Sequence, residues 1–299
     1  MTEDRYSYWK KYIEARLVDF LPEQEEQRSR LFEAMKYSLL AGGKRLRPLL
    51  LLEACSVCGG DAGRALPYAC AIEFIHTYSL IHDDHPSMDD DDLRRGKPTN
   101  HKVFGDGMAI LAGDGLLNSA FDIMTEDMLK AAGRGENTEP LLKAVYEISS
   151  AAGVRGMIAG QAADLDNTGA GCRSSEMLLY IHRNKTGALI RAAVRAGALI
   201  GEASDSQLIA LTRYAENLGL AFQISDDILD VVGDTEKMGK SAGADERLGK
   251  LTYPSVYGLE ESRRRLEEAT GRAVEAAESF GSGGVFLAKL AIDLEKRIS

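Results

Sequence analysis

Apolar residues recur along this chain with the period of an α-helix. Leu31, Ala34, Met35, Ser38 and Leu39 follow the i, i+3, i+4, i+7, i+8 template, and Leu208, Leu211, Ala215, Leu218 and Phe222 keep close to it. Alanine is abundant between 188 and 203, where Gly187, Gly197 and Gly201 let helices approach closely. No convincing strand alternation bounded by hairpin turns stands out. The pattern predicts helices over residues 5–20, 24–41, 46–57, 62–84, 107–131, 138–165, 174–200, 204–232, 252–279 and 282–298. The fold class is therefore all-α, a bundle of about ten or more helices, and facing helices in such a bundle can build a site in its core.

Length alone, 299 residues, would suggest two domains. The chain nevertheless has only 7 prolines, no Ser/Gly-rich tract and no break in composition, so one domain over residues 1–299 is expected. A net charge of −10 argues against a nucleic-acid partner, whose electrostatic footprint is basic. It leaves room for a small anionic substrate held by local basic clusters. No apolar stretch is long enough to span a membrane, and the first residues carry no signal-peptide pattern, so a cytoplasmic protein is expected. The 4 cysteines fit reduced thiols, and Cys55-Ser56-Val57-Cys58 reads as helix packing ahead of a zinc or redox site because no second pair or nearby histidine completes it.

Two aspartate clusters change the picture. Asp83-Asp84-His85-Pro86-Ser87-Met88-Asp89 and Asp226-Asp227-Ile228-Leu229-Asp230 each follow an apolar, helix-compatible run. Carboxylates this close repel one another, and holding them against apolar surface is unfavourable without cations. Their oxygens suit Mg²⁺, which often binds through one or two carboxylates plus substrate phosphates. Asp226 and Asp230 share a helix face, with Asp227 to one side. Pro86 disfavours helix at His85, so the first element should end near Asp84 and Asp89 should return from the following turn. One such cluster alone reads equally well as a solvated helix end; two, each behind an apolar run, point to a metal cage closed around a diphosphate.

Basic clusters supply the cations that an anionic substrate needs beyond metal. Gly42-Gly43-Lys44-Arg45-Leu46-Arg47-Pro48 sets three of them in a glycine-hinged turn, and Arg94-Arg95-Gly96-Lys97 follows the first acidic cluster. Alone, each reads as a solvated loop or as salt bridges to adjacent acids. His182-Arg183-Asn184-Lys185-Thr186-Gly187 is unusually polar for a helical stretch. The segment from Gly239-Lys240 to Lys250 is either a lid over the ligand or an ordinary connector.

Taken together, GGKRLRP (42–48), LIHDDHPSMDDDDLRRGKPTNH (80–101), GQAAD (160–164), KTG (185–187), QISDDILD (223–230) and GKSAGADERLGKLTYP (239–254) resemble the trans-isoprenyl diphosphate synthases, or polyprenyl synthetases, motif by motif and in order. The resemblance is greatest to the short-chain bacterial-type farnesyl diphosphate synthases, whose first motif also has four residues between aspartates; His85 departs from the leucine usual there. The resemblance implies an all-α fold around a deep central cavity, usually in a homodimer, and about three Mg²⁺ ions, with Mn²⁺ as a substitute. Asp83 and Asp89, supported by Asp84, would hold two ions, and Asp226 with Asp227 and Asp230 the third. Arg94, Lys185, Gln223, Lys240 and Lys250 would bind the allylic diphosphate; Lys44, Arg47, His76 and Arg95 would bind isopentenyl diphosphate. Gln161 and Asp164 would orient metal-bound waters. Thr186 and Gln223 would stabilise an allylic cation, and Tyr78, with small Ser79 beside it, would limit chain length.

The reaction implied is head-to-tail condensation of isopentenyl diphosphate with dimethylallyl or geranyl diphosphate. It gives mainly farnesyl diphosphate, with pyrophosphate as the base for the departing proton. His82, His101 and His182 are expected to be structural. Rival readings are a geranylgeranyl diphosphate synthase, a non-catalytic subunit of a heteromeric synthase, a class I terpene cyclase, a head-to-head prenyl synthase and a plain acidic cation-binding module. The intact Asp motifs speak against the non-catalytic subunit, and the second set of phosphate-binding cations speaks against the cyclase. The closely matching GGKRLRP and DDxxxxD motifs speak against head-to-head coupling, and the ordered basic motifs are unexplained by a cation-binding module.

Overall fold

Helix boundaries follow local chemistry. Asp61 accepts a hydrogen bond from the Gly63 N–H and so caps the helix that carries the first aspartate cluster, which stops at Asp83 just ahead of Pro86. The computed structural model describes residues 2–22, 29–169, 174–232 and 248–296. In order these give α1 (Thr2–Arg16, continued by a 3₁₀ turn to Phe20), α2 (Ser29–Leu39), α3 (Leu46–Val57), α4 (Ala62–Asp83), β1 (Leu93–Arg94), β2 (Lys97–Pro98), α5 (Asn100–Phe104) and α6 (Asp106–Gly133). There follow α7 (Glu139–Ala152), α8 (Met157–Asn167), α9 (Ser175–Ile181), a π-helical segment (His182–Gly187), α10 (Ala188–Ile200), α11 (Asp205–Val232), α12 (Tyr253–Tyr257), α13 (Leu259–Glu278) and α14 (Val285–Glu295).

The core runs through α3 and α4. Leu49, Leu50, Leu51 and Leu52 of α3 are all fully buried, the mark of a helix enclosed on every side. It lies between α4 and α10, while α4 packs on α6 and α11 packs on α13. Buried charges at the edges of this core are paired. Glu53 accepts hydrogen bonds from Trp9 Nε1 and Arg5 Nε, both at 2.8 Å, which ties α1 to α3. Arg45 and Glu73 meet at 2.6 Å with side chains 1% and 2% exposed. Among the described residues no helix is long and apolar enough to cross a membrane. Cys55, Cys58 and Cys70 are free, and burial pushes the Cys55 and Cys58 thiols up to about 12 and about 11, which keeps both protonated near pH 7.

The structure corrects several predicted elements. The helix expected over 138–165 is two, α7 and α8, separated at Gly153 and Gly156. The 252–279 helix breaks at Gly258, whose φ of +78° ends α12. The 174–200 helix is continuous but changes register through π geometry at 182–187. Sequence periodicity also missed a two-stranded antiparallel hairpin, Leu93–Arg94 with Lys97–Pro98, and the short α5. Strands of two residues are too brief to show an alternation. Residues 24–28, 233–247 and 297–298, parts of other expected or motif-bearing segments, lie outside the described residues.

Candidate active site

The two aspartate clusters occupy the C-terminal parts of α4 and α11. Asp83 is the last residue of α4, and the chain then turns so that the Asp89 N–H donates to the Asp83 carbonyl at 3.0 Å. The expected return of Asp89 is therefore present. Burial, the largest influence, pushes the Asp83 carboxyl up to about 6, with nearby Lys185 opposing and Asp89 reinforcing the rise. Asp84 is paired with Arg94. It is buried and accepts from Arg94 Nε at 2.9 Å and from the Arg94 terminal nitrogen, while Arg94 also reaches Asp91 at 3.2 Å.

Two further segments reach the first cluster. Lys250 places Nζ 3.2 Å from Asp89 Oδ2, which joins the chain beyond the second motif to the first. Gln161 of α8 donates to the Met88 sulfur at 3.9 Å. Asp164, one turn further on, holds Lys185 Nζ at 2.6 Å. Lys185 lies in the π-helical segment, a geometry that recurs at functional sites because it turns side chains out of α register. Gly160 makes this approach possible: a methyl group there would run into the Lys185 backbone nitrogen. Thr186, beside it, is buried.

On α11, Gln223, Asp226, Asp227 and Asp230 follow one another at helical spacing. Asp227 is buried and accepts the Tyr253 N–H at 2.8 Å, and His182 Nε2 stands 3.5 Å from the same carboxylate oxygen. The His182 ring stacks on Tyr253 with centroids 5.3 Å apart, and burial pushes it down to about 4, so it is neutral near pH 7. Asp227 thus braces the start of α12, whereas Asp226 is half-buried and its charge reaches Arg47.

The second basic group lies across from these acids. Lys44 holds Nζ 5.6 Å from the Phe222 ring of α11, and its carbonyl accepts from the Tyr6 hydroxyl at 2.6 Å. Burial pushes the Arg47 guanidinium down to about 10, with Glu73 and Asp226 pulling the other way and Arg95 reinforcing the fall. Burial, then Arg47, Arg95, Arg94 and Arg45, push His76 well below its usual range, so His76 is a neutral hydrogen-bonding group among cations. Arg45 differs from the other two basic residues of its turn: it is locked onto Glu73 and the Leu39 carbonyl and serves the fold.

Most sequence-predicted residues therefore gather at one end of the bundle, in two groups. Asp83, Asp89, Asp164, Lys185 and Lys250 form one, with the Asp84–Arg94 pair adjoining it; Arg47, His76 and Arg95 form the other, next to Asp226, with Lys44 over Phe222 of α11. Tyr78 is buried a turn and a half below Asp83, its ring edge-on to His82 at 5.7 Å, and Ser79 bonds back to the His76 carbonyl. Lys240 lies outside the described residues, as does most of the loop read as a lid. Of the histidines expected to be structural, His82 contacts the Ile110 carbonyl and His101 is buried against Thr99. His85 bonds to Ser87 and sets its ring edge toward His101 at 6.0 Å. Sequence reasoning missed Glu73, which counters the arginines, and the His182–Tyr253 brace, whose partners lie far apart in the chain.

The donor set fits hard divalent cations. Among the described residues no three acidic, histidine or cysteine side chains converge tightly enough to hold one ion unaided. Mg²⁺ does not need that, because phosphate oxygens and water complete its shell.

The polyprenyl synthetase family matches residues 28–281 of this chain. The farnesyl diphosphate synthase of Geobacillus stearothermophilus is 49% identical over 287 residues, which is 94% of each chain. Geranylgeranyl pyrophosphate synthase 11 of Arabidopsis thaliana is 50% identical over 254 residues, covering 84% of this chain and 70% of that one. Among solved structures, a farnesyl/geranylfarnesyl (FPP/GFPP) diphosphate synthase from Zymomonas mobilis superposes with a TM-score of 0.84 at 37% identity over 98% of both chains. A geranyltransferase from Legionella pneumophila gives 0.88 at 30% identity over 100% of this chain and 97% of that one. The fold and the site define an isoprenoid synthase of the all-α type. The chain belongs to the polyprenyl synthetase family and is a prenyltransferase.

Proposed function

We propose that this enzyme condenses isopentenyl diphosphate head-to-tail with dimethylallyl and geranyl diphosphates and releases mainly farnesyl diphosphate. The observation that carries the reading is the pair of cationic groups, Lys185 with Lys250 among the aspartates and Arg47 with Arg95 around neutral His76, with Lys44 over Phe222 of α11. Two diphosphates call for two such groups; a cyclase needs one. Asp83 and Asp89 from one side and Asp226 and Asp230 from the other would hold Mg²⁺, about three ions, which neutralises charge on the departing diphosphate. Mn²⁺ would serve in its place.

Lys185, Lys240 and Lys250 bind the allylic diphosphate and stabilise the negative charge that grows as its C–O bond breaks. Arg94, fixed by Asp84 and Asp91, adds a cation held in one orientation. Thr186 and Gln223 turn oxygen dipoles toward the allylic cation, and apolar walls keep water from it. The double bond of isopentenyl diphosphate, held by Lys44, Arg47, His76 and Arg95, then attacks to form the new C–C bond. Released pyrophosphate takes the proton, because neutral His76 is enclosed by arginines that disfavour its protonation. Gln161 and Asp164 orient water around the metal and the Lys185 head.

The growing tail runs along α4, where Tyr78 ends it at fifteen carbons while Ser79 leaves space above. The bacterial relative's name supports this product, and the plant relatives' names favour geranylgeranyl diphosphate as the second reading. One cytoplasmic domain, working as a homodimer through exposed Ile110, Leu111, Leu142 and Tyr146 of α6 and α7, completes the reading. The test is purified protein with Mg²⁺, dimethylallyl and isopentenyl diphosphates, with products sized by mass spectrometry and assembly by light scattering. A C15 diphosphate as the main product supports the proposal; C20 as the main product replaces the farnesyl reading, and no condensation overturns it.

A further inference from the structure

Arg95 is presented by a piece of chain that cannot hold its own shape. It sits with Gly96 at the tip of the β1–β2 hairpin, with φ of +55° and +75° respectively, the signs a two-residue type I′ turn requires. Left-handed backbone is unfavourable for an arginine, and a ladder of two residues per strand is not stable alone in water. Yet Arg95 is placed closely. Its guanidinium donates to the Gly42 carbonyl, and a Cβ on Gly43 would lie 2.6 Å from Arg95 Cζ. Only glycine at 43, where φ is +127°, lets the guanidinium lie over that turn.

Besides the Arg94–Asp84 pair that ties β1 to the end of α4, α2 holds the hairpin. The Tyr37 hydroxyl donates to the Pro98 carbonyl at 2.8 Å, at the foot of β2. Asn100, two residues further and buried, donates through Nδ2 to the Ala34 carbonyl and the Ser38 hydroxyl, both at 2.8 Å. Thr99 between them closes the loop by donating its hydroxyl to the Asp91 carbonyl at 2.8 Å and its N–H to the Asp92 carbonyl at 3.0 Å. The same α2 runs directly into the turn that carries Lys44 and Arg47. Its last turns are therefore the common base for both halves of the second cationic group.

We propose that Tyr37 and Asn100 are positioning residues for isopentenyl diphosphate, acting through Arg95. They fix the hairpin to α2 and so set the distance between Arg95 and the Lys44–Arg47 turn. The inference rests on the assignment of that cationic group to isopentenyl diphosphate.

Steady-state kinetics of Tyr37→Phe and Asn100→Ala test it, with each diphosphate varied in turn. Tyr37→Phe removes one hydroxyl and keeps the ring against Phe104, so it leaves the fold intact and remains informative if Asn100→Ala fails to fold. Loss of one hydrogen bond should raise KM for isopentenyl diphosphate about three- to tenfold. The allylic KM, the kcat at saturation and the Mn²⁺ affinity should change less than about twofold. Placed on Arg95→Ala, Tyr37→Phe should add nothing, because the group it positions has gone. Equal losses for both substrates, an unchanged KM, or the same loss on Arg95→Ala as on the parent would overturn the inference. Failure of the parent enzyme to condense the two substrates would instead overturn the assignment beneath it.

Discussion

Lys250 and any metal on Asp89 compete for one carboxylate. The ammonium stands 3.2 Å from Asp89 Oδ2, with side chains 16% and 18% exposed. At an effective dielectric of about 20 the direct attraction is about 5 kcal/mol. Screening and the desolvation of both ions leave a net contribution of about 1–2 kcal/mol. A divalent ion binding at Asp89 has to displace that attraction. Lys250→Gln keeps most of the side-chain length and removes the charge. It should therefore tighten metal binding about five- to thirtyfold, at roughly 1.4 kcal/mol per tenfold.

Free Mn²⁺ can be counted by electron paramagnetic resonance during a titration without substrate, which separates metal affinity from turnover. The same variant should turn over more slowly, with kcat/KM for the allylic substrate reduced about ten- to a hundredfold, because a charged hydrogen-bond donor to its diphosphate is lost. Opposite signs in the two assays mark the exchange of partners. Lys250→Arg, which keeps the charge, should stay within about twofold of the parent in Mn²⁺ affinity. Weaker or unchanged Mn²⁺ binding in Lys250→Gln would refute the competition.

Asp83→Ala or Asp226→Ala should lower turnover by about three orders of magnitude or more while circular dichroism keeps its helical signature; near-normal rates with Mg²⁺ supplied would exclude a two-sided cage. Arg47→Ala should chiefly raise KM for isopentenyl diphosphate and Lys185→Ala chiefly impair the allylic partner, a split that vanishes if both groups serve one diphosphate. Because burial holds the Asp83 carboxyl up at about 6, protons compete with metal below that value. Mn²⁺ affinity should fall about tenfold per pH unit below pH 6 and level off above it, and a pH-independent affinity would remove Asp83 from the ligands. Tyr78→Ala should shift product toward C20 and longer chains; an active variant with unchanged product length would rule out the floor.

The sequence showed the chemistry more fully than the scaffold that aims it. Periodicity located α3, α4, α6 and α11 closely because each buries an apolar stripe or is apolar all round, a signal that survives whatever the helix packs against. The aspartates were legible for a related reason. Clustered like charges behind apolar runs are costly, so their presence asks for a cation. The β1–β2 hairpin was not legible, since two-residue strands have no period and this hairpin is anchored by Arg94 on Asp84 and by Tyr37 and Asn100 across the molecule. Nor was the π register at 182–187, where α8 approaches closely at Gly160.

Individual roles within a motif were also hidden until partners were known. Lys44, Arg45 and Arg47 look alike as a basic run. Yet Arg45, at φ +51° and bound to Glu73, is a buried strut, while Lys44 lies over the Phe222 ring and Arg47 feels the charge of Asp226. Asp226 and Asp227 are adjacent in sequence, but Asp227 is spent on the Tyr253 N–H and His182. In each cluster one carboxylate is tied to the frame, Asp84 to Arg94 and Asp227 to the start of α12. A carboxylate that already accepts strong, buried hydrogen bonds cannot change partners cheaply, whereas among the described residues Asp89 is paired with Lys250 at 3.2 Å. The consequence is an order of substitution sensitivity: replacing Asp84 or Asp227 should cost the arrangement of the site, and replacing Asp83, Asp89 or Asp226 should cost its chemistry.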